Sequence, residues 1–217
     1  MMKDLIILGT GDCAREIAHV VERINDHSDE AVWNILGFST DRDELVGTEV
    51  DGYKVICTDD GVNEWPEEVY VICSLGIARA RRRVVGNIIN PNVKFATLID
   101  PDAKIFRDTE IGEGSIICAG NVLSINVKVG KHVIVNWNCS IGHDAVIEDY
   151  SVINPGVNIS GKVTVGTCSD IGVGSKVIQG LTIGSDTTVG AGGVVVNDIP
   201  SKCLAVGVPA KPVKFFE

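Results

Sequence analysis

Aromatic residues are scarce in this chain, at 5% of the sequence, and basic residues are outnumbered: 19 Lys and Arg face 29 Asp and Glu, a formal net charge of −10. A nucleic-acid binder carries a basic stripe. The one dense basic cluster, Arg79, Arg81, Arg82 and Arg83, reads instead as the solvated face of a helix. The seven cysteines are odd in number and contain no C-x-x-C pair. That argues against a zinc or disulfide framework and for reduced thiols in a cytoplasm. No apolar run approaches the ~20 residues of a membrane helix, and a strand pattern opens within four residues, which leaves no room for a signal peptide. A soluble, cytoplasmic protein with neither nucleic-acid nor membrane partners is expected. What the chain has in quantity is aliphatic side chains and glycine, 24 of the latter. The combination suits a core of aliphatic layers on a backbone with many tight corners.

The aliphatic residues keep a register. Stepping by six from Ile99 gives Ile105, Ile111, Ile117, Leu123, Val129, Val135, Ile141, Ile147, Ile153, Ile159, Val165, Ile171, Val177, Ile183, Val189 and Val195 without a break. Glycine often follows, at Gly112, Gly130, Gly142, Gly166, Gly172, Gly184 and Gly190, where it is expected to relieve a corner that needs positive φ. Small side chains recur four places after the aliphatic residue, as at Ser115, Ser151, Ser169, Ser175 and Thr187. Period six belongs neither to an α-helix nor to a heptad. It fits a triangular solenoid with one short strand per side, so that residues eighteen apart are neighbours along the axis. Coils about 4.8 Å apart would pair by parallel β hydrogen bonds.

This register resembles the left-handed parallel β-helix of the hexapeptide acyltransferases. The handedness, a homotrimeric assembly and active sites between subunits are what the resemblance implies.

The first ninety residues alternate strands and helices. Asp4–Gly9 is a buried-strand pattern that runs into the G-x-G-x-x-A turn Gly9-Thr-Gly11-Asp-Cys-Ala14, and Arg15–Ile24 is helical with Ile17, Ala18, Val21 and Ile24 on one face. Further strands are expected at Trp33–Phe38 and Val69–Cys73, and a helix over Ile77–Ile89. Such a turn offers backbone N–H groups to a phosphate. The division expected is a Rossmann-like nucleotide-binding domain over 1–93 and a β-helix acyltransferase domain with a C-terminal cap over 94–217.

With this order of domains and the ending Gly207-Val-Pro-Ala-Lys211, the whole chain resembles bacterial sugar O- and N-acetyltransferases, similar to those of sialic acid, bacillosamine and perosamine. The resemblance implies acetyl-CoA as co-substrate, no metal, and a sugar acceptor, nucleotide-linked in the amino-sugar members. It maps the acceptor's nucleotide to Gly9, Thr10 and Gly11, to Thr40 and Asp41, and to Ser74–Gly76. Cys13 replaces the usual histidine of the turn.

Acetyl transfer needs a base, an oxyanion donor and a groove for the pantetheine arm. Of four histidines, His143 lies two places past the inward Ile141, at an outward corner, with Asp144 beside it. The family motif makes His143 the general base and Asp144 its support. His132, next to Lys131, reads as a surface residue. Gly161 lies eighteen residues past His143, and its backbone N–H is the expected oxyanion donor. Coenzyme A contacts are mapped to Val152, Val173, Ala191 and Lys211. Val152 stands where amino-sugar members often have a second histidine near the acetyl carbonyl. Other readings are a three-histidine zinc hydratase on the same solenoid, a dehydrogenase read from the glycine turn alone, and a non-catalytic trimeric sugar-binding scaffold.

Overall fold

The computed structural model describes residues 2–217. The chain divides into two compact units, one reaching Gly76 and including Ala80–Pro101, the other made of Ile77–Arg79 and Asp102–Glu217. Among the described residues no helix is long and apolar enough to cross a membrane.

The first unit contains β1 (Lys3–Leu8), α1 (Asp12–Asp26), β2 (Trp33–Thr40), β3 (Glu49–Val50), β4 (Tyr53–Thr58), β5 (Val69–Cys73), α2 (Ala78–Gly86, whose first two residues belong to the second unit) and β6 (Val93–Phe95). The sheet order is β3-β4-β2-β1-β5-β6, parallel except for the β3–β4 pair. Leu5, Ile6, Ile7 and Leu8 are all fully buried, because β1 is central and covered on both faces. Ala14, Ile17, Ala18 and Val21 form the buried stripe of α1.

This unit runs past residue 93. β6 adds to β5 in the register Val69↔Val93, and Asp100, fully buried, takes a two-pronged ion pair from Arg23 of α1 at 2.8 and 3.1 Å. The arginine cluster also differs from expectation. Arg81 is 0% exposed and its Nη1 donates to the Leu75 carbonyl, so one guanidinium of the supposed solvent face ties the loop after β5.

The second unit is a parallel β-helix of two-residue strands, each ending on a residue of the six-residue register, from Lys104–Ile105 to Val194–Val195. Coils pair eighteen residues apart, as in Ile117↔Val135, Val135↔Ile153 and Ile153↔Ile171 on one side and Ile141↔Ile159 on the next. From Ile117 to Val195 the register residues are buried. At the N-terminal end the layer is open: Ile105 and Ile111 are only half-buried. Ile199, Cys203 and Ala205 close the other end, where Cys203–Gly207 and Ala210–Phe215 form an antiparallel hairpin.

The glycines that follow the register residues do not serve positive φ. That conformation falls two places later, at Asp108, Asn126, His132, Asn138, Asp144, Tyr150, Lys162 and Cys168 among others, with φ from 54° to 62°. The glycines are needed because coils approach too closely for a side chain. A Cβ on Gly112 would lie 2.6 Å from the Gly130 carbonyl carbon, and one on Gly166 2.5 Å from the Ser185 nitrogen. The small residues at the fourth position also join coils. The Ser115 hydroxyl donates to the Gly130 carbonyl at 2.8 Å and accepts the Val133 N–H at 2.9 Å. Ser151 does the same with Gly166 and Ser169.

Gly166→Ala should therefore destabilise the protein by about 1–3 kcal/mol through overpacking. Gly174→Asn, at φ 70° with open space around it, should stay within about 0.5 kcal/mol of wild type. Thermal unfolding of the two variants measures the contrast, and equal losses would contradict the close-approach account.

Candidate functional site

His143 and Asp144 sit on the corner between the strands Ser140–Ile141 and Val146–Ile147. Neighbouring coils hold this corner from both sides. The Asp144 N–H donates to the Ile125 carbonyl at 3.2 Å, and the His143 carbonyl accepts the Lys162 N–H at 2.8 Å. Asp144 adopts φ 58°, which turns its carboxylate back toward the preceding ring. His143 Nδ1 lies 2.8 Å from Asp144 Oδ2, and the other oxygen, Oδ1, accepts a 2.7 Å hydrogen bond from Asn126 Nδ2, one coil earlier.

Asp144 is exposed, and hydrogen bonds from His143 first and Asn126 second hold its carboxyl below the ordinary carboxylate range, with the charges of His143 and Lys162 acting in the same direction. An ionised Asp144 only accepts, so its partner Nδ1 is the donor, and in the neutral imidazole Nε2 is then the acceptor. Sequence reasoning missed Asn126. Its signal was the coil period itself, since Asn126 stands eighteen residues before Asp144.

Gly161 is the residue one coil after His143. A Cβ there would lie 2.5 Å from His143 Nε2 and 2.6 Å from Cε1. The imidazole thus occupies the space that a side chain at 161 would need. His132 lies on a different corner. It is 3% exposed and stacks on Tyr150 with ring centres 5.1 Å apart, which corrects the expectation of a surface histidine. Among the described residues no three His, Cys, Asp or Glu side chains converge as a metal-ligand set.

Val173 and Ala191 share a third corner on adjacent coils. Val173 is 54% exposed, Ala191 is exposed, and Gly192 N–H donates to the Val173 carbonyl at 2.8 Å. Lys211 is exposed on the terminal hairpin, paired with Val206. Val152 differs from expectation. It is 2% exposed and packs with Ala78, Cys168 and Tyr150 on a flat side of the β-helix, so it presents little surface to a ligand.

In the first unit, Gly9, Thr10, Gly11, Asp41 and Gly76 line one cleft of about 310 Å³. Gly9 takes φ 103°, and a Cβ there would lie 2.9 Å from Ser74 Oγ, which itself donates to the Leu8 carbonyl. Gly11 caps α1 with its carbonyl, which accepts the Ala14 N–H at 2.9 Å, and with no side-chain hydrogen bond, so the start of the helix lines the cleft without a capping side chain. Arg42, Asp59 and Arg83 also line it, three residues that the sequence reading did not assign to a site. Burial pushes the Asp59 carboxyl up, the Ser39 hydrogen bond opposes that, and Asp41 and Asp60 push it further up.

Fold and site together define a small Rossmann-like domain followed by a left-handed parallel β-helix with a histidine–aspartate corner. The PglD N-terminal domain family matches residues 4–88. The acetyltransferase domain of PglB from Neisseria gonorrhoeae FA1090, solved in complex with acetyl coenzyme A, is 31% identical, with 98% of this chain and 100% of that one covered and a TM-score of 0.89. PerB from Caulobacter crescentus, solved in complex with CoA and GDP-perosamine, is 26% identical over 99% of both chains with a TM-score of 0.85. GDP-perosamine N-acetyltransferase of Escherichia coli O157:H7 is 29% identical over 123 residues, a match that spans 57% of this chain and 56% of that relative's length. The chain belongs to the hexapeptide-repeat family of bacterial sugar N-acetyltransferases.

The lowered Asp144 pKa has a sign. A depressed carboxylate contributes stability above its ordinary pKa and loses it as pH falls through the folded value. The Asp144 side-chain carbon resonance should therefore titrate below the ordinary range of about 3.9. Removing the His143 partner should return it toward that range, and a titration unmoved by His143→Ala would contradict the assignment.

Proposed function

We propose that this protein transfers the acetyl group of acetyl-CoA to the amine of a nucleotide-linked amino sugar, directly and with His143 as general base. One observation carries this reading. His143 Nδ1 is engaged by Asp144 at 2.8 Å, while Nε2 lies over the vacant side-chain position of Gly161. The acetyl coenzyme A complex of the Neisseria relative and the CoA and GDP-perosamine complex of the Caulobacter relative support the choice of donor and acceptor class.

In the reaction the acceptor nitrogen attacks the thioester carbonyl and forms the new C–N bond. Nε2 takes the proton that this nitrogen loses, Asp144 stabilises the resulting imidazolium, and the C–S bond breaks to release the thiolate of coenzyme A, which takes that proton back from the imidazolium and so restores the base. The Gly161 N–H is assigned to the oxyanion that forms on the carbonyl. Val173 and Ala191 are assigned to the pantetheine arm and Lys211 to the phosphates of coenzyme A. Gly9, Thr10, Gly11, Asp41 and Gly76 are assigned to the nucleotide of the acceptor. A parallel homotrimer that completes each site at an outward corner is part of this reading.

Thiol release from acetyl-CoA, assayed with GDP-perosamine and with a UDP-linked 4-amino sugar, is the test. One of the two should be turned over. His143→Ala should lower kcat by about 10²–10⁴ with little change in the KM for acetyl-CoA. If neither sugar drives thiol release and calorimetry finds no affinity for acetyl-CoA, the protein is a non-catalytic sugar-binding scaffold instead.

A further inference from the structure

We propose that Asn126 is a positioning residue for the acyl-transfer centre: its side-chain amide clamps Asp144 from the preceding coil and so holds His143 in the tautomer with the proton on Nδ1. The inference rests on the reading of His143 as the base and names a residue that this reading does not use.

The geometry spans two coils. Asn126 and Asp144 hold the same corner position eighteen residues apart, with φ 56° and 58°. From there Asn126 Nδ2 reaches Asp144 Oδ1 at 2.7 Å, while Oδ2 faces His143 Nδ1 at 2.8 Å. Each oxygen of the carboxylate thus has its own donor, and the two donors approach from different coils. An exposed aspartate with a single partner is free to rotate, and water competes for its oxygens. A second donor on the far oxygen removes that freedom, and the near oxygen stays on the ring.

The tautomer matters because a free neutral imidazole carries its proton mainly on Nε2, the nitrogen that the base must keep open. Only a firmly held acceptor at Nδ1 reverses that preference.

The corner conformation alone does not demand asparagine. Lys162 and Tyr150 occupy equivalent corner positions with φ 58° and 62°. What asparagine adds at 126 is a neutral N–H donor, directed at the carboxylate. Aspartate there would accept a positive φ equally well and would repel Asp144. Lysine would bring a flexible charge. Gly161 completes the arrangement from the other side, since its missing Cβ is the space in which the clamped ring lies.

Asn126→Gly is the variant of choice, because glycine adopts φ 56° without strain and deletes only the amide arm. The measurement is the long-range ¹H–¹⁵N spectrum of the histidine rings in the full-length protein, with His143 assigned by comparison with His143→Ala. The wild-type ring should show the proton on Nδ1. In Asn126→Gly the population should move toward the Nε2–H form, with an unchanged melting temperature and roughly a tenfold fall in kcat for thiol release at unaltered KM for acetyl-CoA. A ring spectrum and a kcat that Asn126→Gly leaves unchanged overturn the proposal. If that happens while His143→Ala is inactive, the clamp fails and the base assignment stands. If Asn126→Gly shifts the tautomer while His143→Ala keeps full turnover, the clamp stands and the base assignment fails.

Discussion

The stacking of each coil on the next, eighteen residues on, is the constraint on which the β-helix and its histidine corner depend. Two-residue strands are too short to be stable singly, and they persist because each pairs with a strand above and one below. The spacing leaves no room for a Cβ where Gly112, Gly142 and Gly166 face the neighbouring backbone. It also leaves buried polar groups that need partners. The hydroxyls of Ser115, Ser151 and Ser169 meet that need by bonding two coils at once, inside a solenoid otherwise filled with Val, Ile and Leu.

The same stacking builds the site. Asn126, Asp144 and Lys162 repeat one corner position on successive coils, and His143 and Gly161 repeat its neighbour. A residue that acts on the imidazole thus comes from the coil before, and the space for the ring comes from the coil after. Backbone bonds such as Lys162 N–H to the His143 carbonyl fix where each corner begins.

The first unit works by a different rule. Its cleft lies at the carboxyl ends of β1, β2 and β5, where parallel strands end and α1 begins without a capping side chain. Charge in this cleft is mixed. Asp41 and Asp59 share it with Arg42 and Arg83, so a diphosphate would meet both attraction and repulsion. Arg83 reaches the cleft because α2 turns Arg81 inward to the Leu75 carbonyl. One helix therefore supplies both a buried anchor and a cleft residue.

By itself the sequence determined the solenoid, because a six-residue register of aliphatic side chains is a local pattern with one geometric solution. It also determined that His143 and Asp144 share an outward corner and that Gly161 stacks beside them, since coil arithmetic converts numbers into neighbours. The tertiary structure alone decided what the glycines are for, because a steric clash between coils leaves no trace in a backbone angle that sequence can suggest. It alone decided that Arg81, His132 and Val152 are buried. Such burial depends on what packs over a position, as with Tyr150 over His132 and Ala78 over Val152. And it alone brought the Asn126 amide to the free oxygen of Asp144, a contact set by side-chain direction at two left-handed corners, which the spacing permits and only the folded coil completes.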